Sequence, residues 1–202
     1  MIQLIYAYAG TKTVSGENEF AFGINGGLPW GHIPQDLKNF KARTEGTTLI
    51  MGAKTFSSFP KPLVGRPHVV VCDLSRDYPT TQDGSLAHFY ISDYQFDKFL
   101  NGHELQVSSP NADFNAIFSR EEGVYSVIGG AGLLQQAYPF SDKVIQTSIR
   151  KRHRVNSDTQ LPMSFIVAPA REDSGFLFKE SHYYHIDAVT NISEDVYVKT
   201  GV

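Results

Sequence analysis

Short apolar blocks, separated by polar stretches rich in glycine and proline, set the pattern of this chain. Residues 3–9 form an apolar, β-prone run ended by Gly10, and similar runs fall at 47–51, 68–72, 87–91, 124–128 and 143–149. Residues 104–107 read as a further short strand. Helical spacing between these blocks predicts helices over 34–44, 53–58, 94–100 and 131–138. Pro34 suits a first helical position, where its missing N–H has no intrahelical partner, and Gly46 closes that helix. Pro60 and Pro62 break the second helix and Pro139 ends the fourth. Residues 10–27 have no periodicity of their own and read as a long polar loop, the kind that serves as a lid or stays disordered. Toward the C-terminus, 176–178 and 183–186 read as one side of an antiparallel pair, with 195–199 returning. Strands alternating with helices imply an α/β fold: a central, mostly parallel twisted sheet with flanking helices and a C-terminal antiparallel hairpin. No repeat, low-complexity segment or linker divides the chain, so residues 1–202 are expected to form a single domain.

Composition narrows the class. The chain has 202 residues, 41% hydrophobic and 19% charged, enough to bury a sizeable core. A net charge of −3 argues against general nucleic-acid binding. Cys72 is the lone cysteine, within the run HVVVC, so it reads as a buried strand residue and excludes a disulfide framework. No basic residue precedes Lys12 in the apolar N-terminal stretch, so a signal peptide or membrane anchor is not expected, and the chain is expected in the cytoplasm. HExxH, paired CxxC, GxSxG and P-loop patterns are all absent, and the seven histidines are scattered. A catalytic metal is therefore not expected.

What chemistry remains is concentrated in the stretch from Gly26 to Lys41, GGLPWGHIPQDLKNFK, and in glycines at strand ends. Asp36 falls in the first turn of its helix, where a negative charge meets the positive end of the helix dipole. It lies four residues before Phe40, hence about 40° from it around the axis and at the edge of the apolar stripe that Leu37 and Phe40 form. That placement fits a surface acid complementing the dipole as well as a buried functional one. IGGAGLL, from Ile128 to Leu134, follows a strand and opens a helix, the geometry in which backbone N–H groups hold a phosphate. Gln135 stands where a third glycine would complete the dinucleotide fingerprint, so a plain strand–helix turn explains it equally. Gly52, before Ala53, Lys54 and Thr55, makes a second such helix start. Two of them on neighbouring strands favour a dinucleotide at the sheet edge.

These residues resemble one family, dihydrofolate reductase, and within it the bacteriophage type. The resemblance rests on LPW at Leu28 to Trp30, DLKNFK at Asp36 to Lys41, IMGAKTF at Ile50 to Phe56, and PLVGR at Pro62 to Arg66. VIGG at Val127 to Gly130 and DTQLP at Asp158 to Pro162 complete the set, in the family's order over essentially the whole chain. The resemblance implies reduction of dihydrofolate to tetrahydrofolate, the one-carbon carrier of thymidylate and purine synthesis, with NADPH as cofactor. It implies that Asp36 is the pocket's only carboxylate and binds the pterin's amino group and ring nitrogen, supported by the Thr147 hydroxyl. Trp30 would hold a water near the pterin and Leu28 would close a mobile loop over the nicotinamide. Ile5, Ala7, Leu37, Phe40, Lys41, Phe59 and Leu63 would line the folate, and Arg66 would grip its α-carboxylate. Ala7, Ala21, Phe22, Gly23, Ile24, Asn25, Gly26, Gly27, Lys54 and Thr55 would contact NADPH. So would Ile128, Gly129, Gly130, Ala131, Gly132, Leu133 and Leu134, with Gly129–Gly130 a cis peptide.

The chain departs from many relatives near the cofactor's 2′-phosphate, carrying Ala53, Cys72 and Asp73 where a basic residue and serines are usual, which leaves Lys54 and Arg76 to supply charge. Residues 92–123 include extra sequence. A same-fold reductase of riboflavin synthesis would keep the Gly-Gly turn but has no need of Trp30, Asp36 and Arg66 together. The run Arg150–Arg154 reads first as a solvated strand end, with RNA binding as the other reading. A homodimer and association with a phage particle stay open.

Overall fold

The computed structural model describes residues 1–110 and 115–201; residues 111–114, inside the extra 92–123 sequence, and residue 202 lie outside the described residues. In chain order the elements are β1 (Ile2–Lys12), β2 (Asn18–Gly23), α1 (Pro34–Thr44), β3 (Thr48–Gly52), α2 (Ala53–Ser58), β4 (His68–Val71), β5 (Phe89–Ile91), α3 (Asp93–Leu100) and β6 (Leu105–Ser108). There follow β7 (Asn115–Phe118), β8 (Tyr125–Gly129), α4 (Ala131–Ala137), β9 (Lys143–Lys151), β10 (Thr159–Gln160), α5 (Met163–Val167), β11 (Phe176–Asp187) and β12 (Thr190–Lys199). Single 3-10 turns extend α4 and α5 at Tyr138–Phe140 and Ala168–Ala170. None of the described helices is long and apolar enough to cross a membrane. The elements form two compact units, Met1–Gln3 with Thr44–Ser141, and Leu4–Arg43 with Asp142–Val202.

The first unit carries the parallel strands β8-β3-β4-β5, in register at Ile50↔Val127, Ile50↔Val69 and Val70↔Tyr90. All four residues of β4 are buried, as expected of a strand covered on both faces. Leu49, Met51, Phe56, Val70, Ala87 and Tyr90 form one core cluster, with Phe59, Leu63 and Ile128 packed against it. The Phe56 side chain is wholly enclosed there. Phe56→Ala is therefore expected to destabilise the protein by about 3–5 kcal/mol, read as the change in urea unfolding free energy; a loss under 1 kcal/mol would contradict this packing. Helix α3 starts one residue before the predicted helix because Ser92 and Gln95 form a reciprocal capping box. Cys72 corrects the sequence reading: β4 ends at Val71, and Cys72 is a half-buried free thiol just past it. The strand expected at 104–107 is β6, and it pairs antiparallel with β7 in a separate two-stranded sheet. Only Phe118 of β7 is buried, which left little pattern to read.

The second unit carries β11-β12-β9-β1, with β2 paired to β1 and β10 to β2. Pairing is antiparallel between β11 and β12, between β12 and β9, and between β1 and β2. The mostly parallel sheet expected from the sequence thus holds for the first unit, while antiparallel pairs dominate the second, and the fold's sheet is mixed. β11 runs unbroken across the two segments 176–178 and 183–186, and β12 begins at Thr190, five residues before the predicted return.

The long loop expected at 10–27 is largely a β-hairpin. β1 extends to Lys12 and pairs with β2 at Ala9↔Ala21, Gly10↔Phe20, Thr11↔Glu19 and Lys12↔Asn18. Turn chemistry makes it: the Gly16 N–H donates to Thr13 O at 3.0 Å, the Thr13 N–H donates to Glu17 O at 2.9 Å, and the Thr13 hydroxyl accepts from the Glu17 N–H. Gly16 has φ +88, a conformation that favours glycine. Ala9, Ala21, Trp30, Ile33, Ile149, Val155 and Ile192 form this unit's core, with Ala7 packed against it.

Candidate active site

In the second unit the site is built on the start of α1. Ile33, 3% exposed, anchors the entry, and its carbonyl accepts from the Asp36 and Leu37 N–H groups. Pro34 follows as the first helical residue, so Asp36 sits in the first turn as expected. Burial, reinforced by the nearby Glu194 carboxylate, pushes the Asp36 carboxyl up to about 6. The first cause is desolvation: the charged form has lost water. Arg43, seven residues on in the same helix, does not pair with it. Its guanidinium donates instead to Glu194 Oε1 through Nη2 at 2.6 Å and Nε at 3.1 Å, and to Glu180 Oε1 at 3.1 Å. Thr147, 5% exposed on β9, is the cross-strand partner of Glu194 on β12.

Asp36 is not the only carboxylate in this part of the second unit. Glu194 is 3% exposed. It lies inward because Ile192, Glu194 and Val196 alternate on one face of β12, a pattern already visible in NISEDVYV. The apolar stripe of α1 also differs from the simple reading: Leu37 is 43% exposed and Phe40 only half-buried, so this face is open to a ligand more than committed to the core. Lys41 is exposed and Leu28 is 48% exposed, whereas Ile5 is buried and Ala7 half-buried. Two buried donors, Trp30 Nε1 and Asn39 Nδ2, have no hydrogen-bond partner among the described residues. An orphaned indole N–H is the signature of a group that binds water or ligand.

The segment before Leu28 is fixed by a tight turn. Ile24 and Gly27 exchange backbone hydrogen bonds at 3.1 and 2.8 Å, and Asn25, at φ 49, donates its N–H to Asp158 Oδ2 at 2.7 Å. Asn25, Gly26 and Gly27 are exposed and Phe22, Gly23 and Ile24 half-buried, while Ala21 is enclosed in the core and offers a ligand no side-chain surface.

In the first unit two helix starts abut. Gly52 precedes α2 and Gly130 precedes α4, and neither helix has a side-chain cap. A methyl group placed on Gly52 would lie 3.6 Å from the Gly130 backbone nitrogen. Uncapped N–H groups from two adjacent helices therefore share one place at the ends of neighbouring parallel strands, the donor set that suits phosphate oxygens. Gly129–Gly130 is a cis peptide, as expected. Lys54 and Gly132 are exposed, Thr55, Ile128, Ala131 and Leu133 half-buried, and Leu134 wholly buried in a packing position. Arg76 is exposed and pairs with Asp73 at 3.4 Å.

Phe59 and Leu63 are half-buried in the same unit. The Arg66 guanidinium is braced: Nη1 donates to Thr44 Oγ1 at 2.8 Å, and Nε and Nη2 donate to Val64 O at 3.3 Å. Sequence reasoning missed the support beneath it. The Leu63 N–H donates to His68 Nε2 at 3.0 Å, and the His68 N–H donates to His88 Nδ1 at 3.0 Å, with the two rings stacked. Burial, then the neighbouring His88, pushes His68 down to about 4, so it is a neutral acceptor. No spacing in the sequence marks this pair.

The basic run 150–154 is partly engaged: Lys151 Nζ donates to Thr190 Oγ1 at 2.8 Å and Arg154 Nε to Lys12 O at 2.9 Å. That is the behaviour of a strand end. Among the described residues no group of three His, Cys, Asp or Glu could hold a metal ion.

A family model described as dihydrofolate reductase matches residues 2–170. The dihydrofolate reductase type 9 of Escherichia coli is 37% identical over 142 residues, covering 70% of each chain. The dihydrofolate reductase of Bacillus subtilis is 30% identical over 162 residues, covering 80% of this chain and 78% of its own. A solved dihydrofolate reductase from Enterococcus faecalis, complexed with NADP(H) and RAB-propyl, superposes with a TM-score of 0.66 at 20% identity, covering 99% of this chain and 96% of its own; it shares the fold.

Proposed function

The chain belongs to the dihydrofolate reductase family, and on that premise we propose that it reduces 7,8-dihydrofolate to 5,6,7,8-tetrahydrofolate with NADPH, acting in the cytoplasm. The observation that carries the reading is Asp36: a half-buried carboxyl in the first turn of α1, raised to about 6 by burial and Glu194, while Arg43 on the same helix binds Glu194 and Glu180. A carboxylate so placed accepts two parallel hydrogen bonds from the amidine-like edge of a pterin, and its charge favours the protonated substrate. Trp30 Nε1, buried without a partner, holds the water that carries a proton to the ring nitrogen. Ile5, Ala7, Leu37 and Phe40 line the pterin side. In the first unit, Phe59, Leu63 and Arg66 are the residues that the family resemblance assigns to the substrate's aminobenzoyl and carboxylate groups.

When bound, the reduced nicotinamide supplies the hydride for the pterin's carbon six. The uncapped starts of α2 and α4 fit a dinucleotide phosphate, with Lys54 and Thr55 beside them. Arg76 is the weaker candidate for the 2′-phosphate, because Asp73 already holds it. The direct test follows NADPH absorbance with dihydrofolate, repeated with NADH. Substrate-dependent loss of NADPH is expected, slower with NADH. Absence of loss with either nucleotide rejects the reading.

A further inference from the structure

We propose that Glu194, clamped by Arg43, is a positioning residue for Asp36: it docks α1 on β12 and sets the electric field at the Asp36 carboxyl. The inference rests on the reading of Asp36 as the substrate-binding acid and goes beyond it, since neither Glu194 nor Arg43 is among the residues the family resemblance points to.

The geometry comes first. Asp36 and Arg43 are seven residues apart on α1, two turns, and so share a face. Arg43 reaches Glu194 through two nitrogens, at 2.6 and 3.1 Å, and binds Glu180 of β11 as well. One guanidinium thus fastens the C-terminal end of α1 to both strands of the last hairpin. Glu194 is almost fully enclosed, and its cross-strand partner is Thr147, the hydroxyl expected to support Asp36. An acid at this inward position is costly without a partner, and the strand's alternation would accommodate an apolar residue there. Its presence calls for a use.

The charged group that acts on Asp36 beside burial is Glu194 on β12; Arg43 on α1 ties Glu194 to Glu180 on β11, and the uncharged Thr147 of β9 lies across from Glu194. His182 touches Glu180, at 3.6 Å, and Arg43 donates to both glutamates. The charge that acts on Asp36 is therefore Glu194's, adding to burial in the same direction. Two hydrogen bonds from Arg43, at 2.6 and 3.1 Å, hold the Glu194 carboxyl group in one position on β12.

The test titrates Asp36 directly, by carboxyl carbon NMR on protein labelled at aspartate, with Asp36→Asn to assign the signal. In the wild type the midpoint is expected near 6. Glu194→Gln is expected to lower it, though not to the ordinary 3.8, because burial persists. The acid limb of the kcat/KM profile should move down in step. Glu180→Gln, at the exposed end of the clamp, should leave the midpoint near 6. Should Glu194→Gln fail to fold, the double variant Arg43→Leu with Glu194→Leu removes both charges without leaving one buried alone and should give the same downward shift. A midpoint unmoved in the folded variants, or moved equally by Glu180→Gln, overturns the proposal. If the midpoint moves but the wild type turns over no dihydrofolate, the field stands while its role in the reaction falls with the reading it rests on.

Discussion

Asp36→Asn is expected to make the protein more stable at pH 8 and nearly inactive. The folded carboxyl has its value raised to about 6 against an ordinary 3.8, so the folded chain binds this proton more tightly than the unfolded one. The stability this provides is fully present below about 3.8 and is lost as pH rises through 6. Above 6 the protein carries an ionised, poorly solvated acid next to Glu194. A neutral isostere removes that penalty, a gain of about 1–3 kcal/mol after allowing for partial solvent access. Turnover at pH 8 should fall by at least two orders of magnitude, since the substrate loses its charged partner and a bidentate contact. NADPH binding should be retained. Urea unfolding of both proteins at pH 4 and pH 8 checks the sign: the variant's advantage should appear at pH 8 and vanish at pH 4. A variant less stable at pH 8, or one with undiminished turnover, contradicts the assignment.

Arg66→Leu should be nearly as damaging, and only for one ligand. The guanidinium is held by Thr44 and by the Val64 carbonyl, so its fork is ordered before any carboxylate arrives. Desolvation pushes Arg66 down from its ordinary value without bringing it near neutrality, so it stays a cation. Loss of a charge-assisted, pre-positioned contact corresponds to about 1.5–3 kcal/mol, or roughly a 10- to 150-fold weaker grip on dihydrofolate. Arg66→Lys should recover little, because an ammonium cannot reproduce the planar fork. Titrating each variant with folate and separately with NADPH decides the matter. Equal losses for both ligands would point to a damaged fold.

Much of the frame was readable because local signals agreed. Pro34 and Gly46 bracket α1, and the structure places it at Pro34–Thr44 as expected. Gly52 and Gly130 mark the starts of α2 and α4 for the same reason. The pattern failed where it was thin. β10 has two residues and α5 five, too few to establish a period. The hairpin at 10–27 was hidden because its turn is written in Thr13 and Gly16, while polar residues flank it on both sides. The site divides in the same way. Family motifs point to Asp36, Trp30 and Arg66 from short runs of sequence. Glu194 lies 158 positions after Asp36, and its signal was an acid at an inward position of an alternating strand, a cue that pairing with β9 makes plain. His68 gave no cue at all, because its role is to accept from a backbone N–H five residues earlier.

That histidine has a further consequence. Because it accepts from Leu63 only while neutral, and stays neutral down to about 4, the scaffold beneath Arg66 is indifferent to mild acid. Asp36, by contrast, takes up its proton near 6. Between these two values the first unit keeps this contact unchanged while the acid of the second unit changes charge, so the two units answer mild acid separately.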